Sequence, residues 1–333
     1  MSALSDLPAE RWLAFFEDLG ELAVQRVTLS GGEVFTRPDL FELIDGLIAN
    51  KMRYSLLSNG TLITERTLER FESGKRRLRL DSIQISIDGS CAAVHNKSRP
   101  PNSFDRALRG LRLLVAQQFP VTVRVTINRH NVGDLANIAR LLLEDVGLSG
   151  FSTNEAEQMG SARCCGQDVV LSPGERQQAM DALMALNDRY GGRIEAQAGP
   201  LSRAQFFEGI EAGLARGETG TPGRGTLCSC GGVFSKMAVL HDGTMVPCNM
   251  LPTLTMGVIG RQSLRDAWQR HPAINVVRQR RQIPLGSLPE CRDCPYTGFC
   301  TGGCPASAMT KFGRLNTREP DICYRTVSYT HLT

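Results

Sequence analysis

Short apolar segments alternate along the first half of the chain with longer segments in which apolar residues recur at helical spacing. The short segments predict five strands, at 26–29, 53–57, 82–87, 121–127 and 151–153. The longer segments predict helices at 7–19, 38–49, from about 64, at 103–117 and at 134–146. A strand–helix unit repeated at intervals of roughly 30 residues is typical of parallel strands with right-handed crossovers. We therefore predict an α/β fold, as an open sheet or a barrel.

Polar motifs stand where these strands end. They are Ser30-Gly31-Gly32-Glu33, Ser58-Asn59-Gly60, Ser86 with Asp88, and Asn128. In open parallel sheets and in barrels, binding and catalysis gather at the carboxyl ends of the strands. This edge of the sheet is therefore the first candidate site.

The second half of the chain has a different character. Residues 155–225 carry no motif, although 175–190 predict a helix and 214–226 read as a linker rich in Gly, Thr and Pro. A cysteine-rich module begins at about 227. The last six residues, 328–333, follow no pattern, and we expect them to be a non-native tail.

Composition excludes several classes of protein. Hydrophobic residues make up 41% of the 333 residues and charged residues 22%, as in soluble globular proteins. The net charge of +4, with Lys75-Arg76-Arg77 as its only basic cluster, does not indicate nucleic-acid binding. No apolar run is long enough to span a membrane, and no export signal is visible. We expect a cytoplasmic protein without membrane or nucleic-acid partners.

Cysteines are concentrated near the end of the chain. Of the 11 in the sequence, eight fall between 228 and 323: Cys228, Cys230, Cys248, Cys291, Cys294, Cys300, Cys304 and Cys323. A chain without an export signal keeps its thiols reduced, so metal ligation is a better explanation than disulfides. Cys91, Cys164 and Cys165 lie outside this group and are expected to be small buried or incidental residues.

The spacing of these cysteines favours iron–sulfur clusters. Cys-x17-Cys is followed by Cys-x2-Cys-x5-Cys-x3-Cys and then by x18 to the last cysteine, with turns rich in Gly and Pro. Eight thiolates suit two 4Fe-4S clusters, each of which takes four. Cys228 and Cys230, two positions apart in an extended chain, lie about 6.6 Å from each other on one side. Zinc is the alternative, because a lone Cys-x2-Cys pair is typical of zinc knuckles.

The motifs taken together resemble a known family. The run from Cys230 through His241-Asp242-Gly243 to Cys248, with the later cysteines, resembles the SPASM domain. Leu29-Ser30-Gly31-Gly32-Glu33 resembles the Gly-Gly-Glu motif of radical S-adenosylmethionine (SAM) enzymes. The segments Ser86–Gly89, His95–Arg99 and Ser103–Asp105 resemble the strand, loop and helix start that follow.

The resemblance covers about residues 5–327 and implies a domain organisation. A partial (β/α)6 TIM-like barrel without its first strand is expected over 1–160, and a bridging helix and linker over 161–226. A small SPASM iron–sulfur domain is expected over 227–327, before the tail at 328–333.

The resemblance also implies which residues bind SAM. Gly31, Gly32 and Glu33 would hold the amino group of its methionine part, through close backbone approach and a carboxylate. Ser58, Asn59 and Ser86 are candidates for the ribose or carboxylate, with a turn residue bonding its own backbone as an equal alternative. Arg124 is a candidate for the SAM carboxylate, with an outward-facing arginine as its alternative.

Family precedent also divides the cysteines between two auxiliary 4Fe-4S clusters. The first auxiliary cluster would be held by Cys228, Cys230, Cys248 and Cys304. The second would be held by Cys291, Cys294, Cys300 and Cys323.

Two features depart from the family pattern. The defining Cys-x3-Cys-x2-Cys loop, which holds the SAM-cleaving cluster, does not occur in the 333 residues. We expect an N-terminal truncation, with a natural degenerate homologue as the alternative and the third cluster present only in a full-length protein. Asn249 follows Cys248 where sulfatase-maturing members carry an Asp, and an amide cannot accept a proton in the same way. This counts against sulfatase maturation.

The implied activity is modification of a peptide or protein by hydrogen abstraction with a 5′-deoxyadenosyl radical. The auxiliary clusters would accept electrons, and flavodoxin or ferredoxin would be the reductant. The alternative is a non-catalytic iron–sulfur protein that binds peptide or relays electrons. A third possibility is a zinc-stabilised module. The sequence identifies neither a catalytic base nor the substrate.

Overall fold

The computed structural model describes residues 6–157, 166–228 and 230–325. These residues form two compact units. The first unit comprises 8–157 and 166–204, and the second comprises 6–7 together with 205–228 and 230–325. Cys164, Cys165 and the expected tail lie outside the described residues, so the predictions made for them stay predictions, as do the predicted domain boundaries.

A parallel sheet forms the centre of the first unit. Its six strands follow one another in chain order: β1 Arg26–Leu29, β2 Arg53–Ser58, β3 Leu80–Ser86, β4 Val121–Ile127, β5 Phe151–Glu155 and β6 Ile194–Ala196. All five strand pairs are parallel. The predicted parallel α/β fold is therefore confirmed, with β6 as an additional strand.

Helices connect the strands. They are α1 Ala9–Glu21, α2 Leu40–Ala49, α3 Glu65–Glu69, α4 Arg76–Arg79, α5 Ala92–His95, α6 Phe104–Ala116, α7 Leu135–Arg140, α8 Gly166–Val169, α9 Pro173–Arg189 and α10 Pro200–Ala215. Helix α10 contributes residues to both units. Two helices begin with a capping box, in which Thr64 or Ser172 accepts a hydrogen bond from the backbone three residues later.

The two faces of the sheet differ in polarity. One face carries fully buried apolar residues: Leu56, Ile83, Ile85, Val123 and Val125. The other face carries polar side chains in register, with Ser55 opposite Ser82, Gln84 opposite Thr122, and Arg124 between Ser86 and Ser152. Because strand residues alternate between faces, the sheet has one apolar core face and one polar face.

Helix α6 fixes the loop that follows β2. Gly60 in this loop has a φ of +76°, in the left-handed region that favours glycine. A Cβ atom on Gly110 of α6 would overlap the carbonyl oxygen of Gly60. Helix and loop therefore approach each other through glycine, and this contact holds Ser58-Asn59-Gly60 in place.

The second unit contains less regular structure. Its helices are α11 Leu264–Gln269, α12 Pro272–Gln279 and α13 Pro305–Phe312, and its only strand pair among the described residues is the antiparallel β7 Ala238–Val239 with β8 Met245–Val246. Leu227, Leu285 and Cys291 form a small buried cluster, packed against Ile283, Leu288 and Cys300. Turns and short helical segments carry most of the cysteines. Among the helices described in either unit, none has the length and apolarity to cross a membrane.

Replacing Gly110 by alanine tests the contact between α6 and the β2 loop. We expect Gly110→Ala to lower the free energy of unfolding by about 1–3 kcal/mol, because the added methyl group has no room. Gly209→Ala in α10 is the matched control, since its Cβ would meet nothing within 4 Å. We expect that variant to be unchanged or up to about 1 kcal/mol more stable, since alanine favours helix. Urea denaturation followed by circular dichroism measures both; equal destabilisation would contradict the packing described.

Candidate functional site

Glu33 joins the loops that follow β1 and β2. Its Oε1 accepts hydrogen bonds from the backbone N–H of Phe35 at 3.2 Å and from Ser58 Oγ at 2.8 Å. Its Oε2 accepts one from the backbone N–H of Asn59 at 2.6 Å. A carboxylate offers about four acceptor positions, so one remains, on Oε2. Glu33 thus positions two loops and can still accept a donor from a ligand.

Gly31 and Gly32 present bare backbone beside this carboxylate. Both are exposed, and neither has a positive φ. A Cβ atom at either position would meet nothing within 4 Å among the described residues. The packing of the chain itself therefore does not require glycine here, whereas a ligand lying against the backbone would.

Ser58 and Asn59 are engaged in the loop after β2. Ser58 is 5% exposed, and its Oγ accepts from the backbone N–H of Gly60 at 2.9 Å while donating to Glu33. Asn59 Oδ1 accepts from the backbone N–H of Thr61 at 2.9 Å and from Thr61 Oγ1 at 2.7 Å. Both side chains accept hydrogen bonds from the backbone of their own turn, as the alternative to SAM binding predicts, and Ser58 also orients Glu33. Their contact with SAM stays a prediction.

Ser86, Arg124 and Ser152 lie side by side on the polar face of the sheet. They occupy matching positions on β3, β4 and β5. Arg124 Nε donates to Ser152 Oγ at 3.3 Å, and Ser152 Oγ donates to the carbonyl oxygen of Val123 at 3.2 Å. Arg124 is half-buried on this face, where a guanidinium can meet an anionic group.

The motif around Asp88 holds the loop after β3. Asp88 is 2% exposed and accepts hydrogen bonds from Arg99 Nε and from the backbone N–H of Thr126. Its own N–H donates to His95 Nδ1 at 3.1 Å. Burial lowers the pKa of His95, opposed by the charge of Asp88. These residues fasten the loop to β4, a structural role that the motif alone does not reveal.

Four of the predicted cluster ligands surround one cavity in the second unit. Its lining includes Cys291, Cys294, Cys300 and Cys323. Burial raises the pKa of Cys291 to about 11 and also raises the pKa of Cys300. Burial therefore disfavours the bare thiolate in this cavity, and a bound metal cation favours it. The four residues are those expected to hold the second auxiliary cluster.

Three ligands predicted for the first auxiliary cluster lie close enough to Arg280 to affect its pKa electrostatically. This side chain is 1% exposed, and burial lowers its pKa, while the nearby Cys304, Cys230 and Cys228 act in the opposite direction. Cys248, the fourth predicted ligand, follows strand β8, and its thiol donates to Asn249 Oδ1 at 3.5 Å. The grouping of three of these four cysteines agrees with the predicted assignment, which itself stays a prediction.

Two glycines separate the cysteines of the Cys-x3-Cys pair. Gly302 and Gly303 have φ values of +72° and +78°, so the chain turns sharply between Cys300 and Cys304. Cys300 lines the cavity, whereas Cys304 stands at the start of α13 and its backbone N–H donates to Glu319 Oε2 at 2.8 Å. The turn thus lets Cys300 line the cavity while Cys304 begins α13, as the predicted division of the ligands requires.

The donor set suits 4Fe-4S clusters better than single metal ions. Within 6–157, 166–228 and 230–325, no three His, Cys, Asp or Glu side chains converge closely enough to hold one ion. Zinc needs its ligands about 2.0–2.3 Å from a single centre. A 4Fe-4S cluster takes four Cys thiolates that surround a larger group. All nine described cysteines are free thiols, and Cys91 is exposed, so of its two expected roles, a buried or an incidental residue, the buried one is wrong.

Family models match both parts of the chain. Residues 3–142 match the radical SAM superfamily, and residues 228–295 match the iron–sulfur cluster-binding SPASM domain. The chain is therefore a radical SAM protein with a C-terminal SPASM domain, and the prediction made from its motifs is confirmed. These domains imply SAM and 4Fe-4S clusters as cofactors.

Individual proteins are similar over nearly the whole chain. An "AdoMet-dependent heme synthase" of Methanosarcina barkeri is 26% identical over 93% of this chain and 86% of its own length. A "PqqA peptide cyclase" of Ruegeria pomeroyi is 23% identical over 98% of this chain and 82% of its own length. The crystal structure of Streptococcus suis SuiB bound to S-adenosylmethionine superposes with a TM-score of 0.68, at 14% identity, over 96% of this chain and 70% of that chain. This similarity shows a shared fold.

Replacing Gly303 by alanine tests how the turn directs Cys304. A Cβ atom there would lie 2.5 Å from the Cβ of Glu319. We expect Gly303→Ala to reduce bound iron from about eight to about four per chain, through loss of the first auxiliary cluster only.

Gly313→Ala is the matched control for this variant. Gly313 also has a positive φ, +67°, but a Cβ atom there meets nothing within 4 Å. Its iron content should equal that of the wild type. Colorimetric iron analysis after anaerobic purification measures both variants, and full iron in Gly303→Ala would contradict the role given to the turn.

Proposed function

We propose that this protein modifies a peptide substrate, with SAM bound at the carboxyl edge of the sheet and two auxiliary 4Fe-4S clusters held by the cysteine-rich unit. The observation that carries this proposal is the set of four cysteines around one cavity in a chain that joins a radical SAM domain to a SPASM domain. SAM supplies hydrogen abstraction in this family, and the clusters supply one-electron transfer.

Gly31, Gly32 and Glu33 bind the methionine amino group of SAM in this proposal. The remaining acceptor position on Glu33 Oε2 takes one ammonium hydrogen, while Ser58 and Asn59 hold the carboxylate in place. On the polar face, the guanidinium of Arg124 donates hydrogen bonds to the carboxylate of SAM, and Ser86 lies beside Arg124. These two charged contacts, one to the ammonium and one to the carboxylate on the same α-carbon, fix the orientation of the methionine part.

The eight cysteines act as thiolate ligands in two sets. Cys228, Cys230, Cys248 and Cys304 hold the first auxiliary cluster, and Cys291, Cys294, Cys300 and Cys323 hold the second. In the second set, Cys291 is buried, and Cys294, Cys300 and Cys323 are half-buried. No cysteine of this sequence is assigned to the SAM-cleaving cluster, because the 333 residues contain no Cys-x3-Cys-x2-Cys.

A peptide is the substrate class that best suits the polar face. Its neutral donors and acceptors match the amide groups of a peptide backbone: Ser55, Ser82, Gln84, Thr122 and Asn154. The name of the similar peptide cyclase points to the same class. We propose flavodoxin or ferredoxin as the reductant and the cytoplasm as the location, with neither nucleic acid nor membrane as a partner.

The direct test uses the full-length protein, purified anaerobically and supplied with SAM, dithionite and a candidate substrate peptide, chosen from short open reading frames beside the gene. We expect 5′-deoxyadenosine and a changed peptide mass, both measured by liquid chromatography with mass spectrometry. If 5′-deoxyadenosine forms and the peptide is unchanged while a porphyrin is consumed, the peptide proposal is wrong. Full clusters without 5′-deoxyadenosine would support the non-catalytic alternative instead.

Removing the charge of Glu33 tests the SAM site. We expect Glu33→Gln to weaken SAM binding about tenfold or more, since a hydrogen bond to a charged group contributes about 1.5–3 kcal/mol. Ser58→Ala should have a smaller effect, because it removes one orienting donor and keeps the carboxylate.

Exposed Glu42 on α2 provides the control, and Glu42→Gln should bind SAM as the wild type does. Equilibrium dialysis with labelled SAM measures binding, and urea denaturation checks that each variant is folded. Unchanged affinity in a folded Glu33→Gln variant would exclude the proposed contact.

A further inference from the structure

Two arginines in the second unit have buried guanidinium nitrogens without a hydrogen-bond acceptor among the described residues. Arg280 is 1% exposed; its Nη2 donates to the carbonyl oxygen of Thr317 at 3.3 Å, but its Nε has no partner. In Arg318, both Nε and Nη1 are buried without a partner. Buried polar groups in native proteins are almost always hydrogen-bonded. Three orphaned donors within one small unit therefore indicate missing acceptors.

Among the described residues, the charge of each arginine also lacks a partner in direct contact. Among the residues that the structure describes, neither arginine forms a salt bridge within 4.0 Å. Glu319 lies near Arg280 and Glu290 lies near Arg318, each close enough for a long-range electrostatic effect. A buried charge without a direct partner is unfavourable. An anionic group beside each guanidinium would remove this penalty.

Each arginine belongs to one of the two cysteine sets. Arg280 lies within electrostatic range of Cys304, Cys230 and Cys228, which belong to the set assigned to the first auxiliary cluster. Arg318 lines the cavity of Cys291, Cys294, Cys300 and Cys323, the set assigned to the second. The orphaned donors therefore lie where the two anionic clusters would bind.

A guanidinium in this position affects the electron affinity of a cluster. A 4Fe-4S cluster with four thiolates is anionic, and reduction adds one more negative charge. Its reduction potential depends on the net charge around it and on hydrogen bonds to its sulfurs. A buried arginine supplies both, and the low local dielectric strengthens both effects.

We propose that Arg280 and Arg318 each donate hydrogen bonds to the sulfurs of one auxiliary cluster and raise its reduction potential, so that the two potentials are set independently. This inference rests on the proposed assignment of the cysteines. Both arginines are positioning residues, since they act through the clusters and not on the substrate. The two anionic clusters would in turn provide acceptors for the buried guanidinium nitrogens of both arginines.

The test is a redox titration of the anaerobically purified protein, followed by electron paramagnetic resonance. Arg280→Gln removes the charge and should lower the reduction potential of the first auxiliary cluster. At a fixed applied potential, the ratio of reduced to oxidised cluster should fall about tenfold, which corresponds to a shift of ~59 mV for one electron. The other cluster should not change. Arg318→Gln should have the mirror effect on the second cluster.

Two further variants separate the effect of the Arg280 charge from a folding defect and from a change in the net charge of the protein. Arg280→Lys keeps the positive charge and should show a smaller shift than Arg280→Gln. Arg281→Gln removes an exposed charge next in sequence and should leave both potentials unchanged. If Arg280→Gln loses about four irons and Arg280→Lys retains them, charge compensation is also supported.

Other outcomes overturn the proposal. About eight irons with unchanged potentials in both glutamine variants would overturn this inference and leave the proposed function standing. Equal loss of iron from Arg280→Lys and Arg280→Gln, or an equal shift in Arg281→Gln, would also overturn it. Wild-type protein without iron would overturn the proposed function together with it.

Discussion

The gathering of thiols inside a small unit is the constraint on which the rest of the structure depends. Four cysteines surround one cavity, and burial raises the pKa of Cys291 to about 11, so the thiolate is disfavoured there unless a metal binds. Three cysteines of the set assigned to the first auxiliary cluster lie close to the buried guanidinium of Arg280, which lacks an ion pair among the described residues. Both features are expected of a unit that binds iron–sulfur clusters, because a cluster favours the thiolate form of cysteine and offers acceptors to a buried arginine. Gly302 and Gly303 allow one short segment to serve both sets.

At the carboxyl edge of the sheet, Glu33 is both the proposed SAM-binding group and the residue that connects the loops after β1 and β2. Glu33 accepts three hydrogen bonds from two loops and keeps one acceptor position. The bare backbone of Gly31 and Gly32 adjoins it, unhindered by the described residues. In the proposed SAM site, the same carboxylate would order its surroundings and accept from the ligand, so that the site is largely preorganised and the entropic cost of binding is reduced.

Local patterns in the sequence predict much of this architecture. Five strands follow from alternation and turn residues, and both cysteine sets follow from spacing and family resemblance. Strand β6 has three residues, too few for a periodic pattern, and Gly209 and Gly213 interrupt the pattern of α10. The special roles of Arg280 and Arg318 have no sequence signal. Arginine is usually exposed, and only tertiary packing buries Arg280 and encloses two guanidinium nitrogens of Arg318.

Metal and sulfide analysis of the anaerobically purified protein tests the central claim most directly. The account predicts about eight irons and about eight acid-labile sulfides per chain, in two clusters distinguishable by electron paramagnetic resonance. Stoichiometric zinc with almost no iron or sulfide would contradict it, and the cysteine-rich unit would then be a zinc-stabilised module.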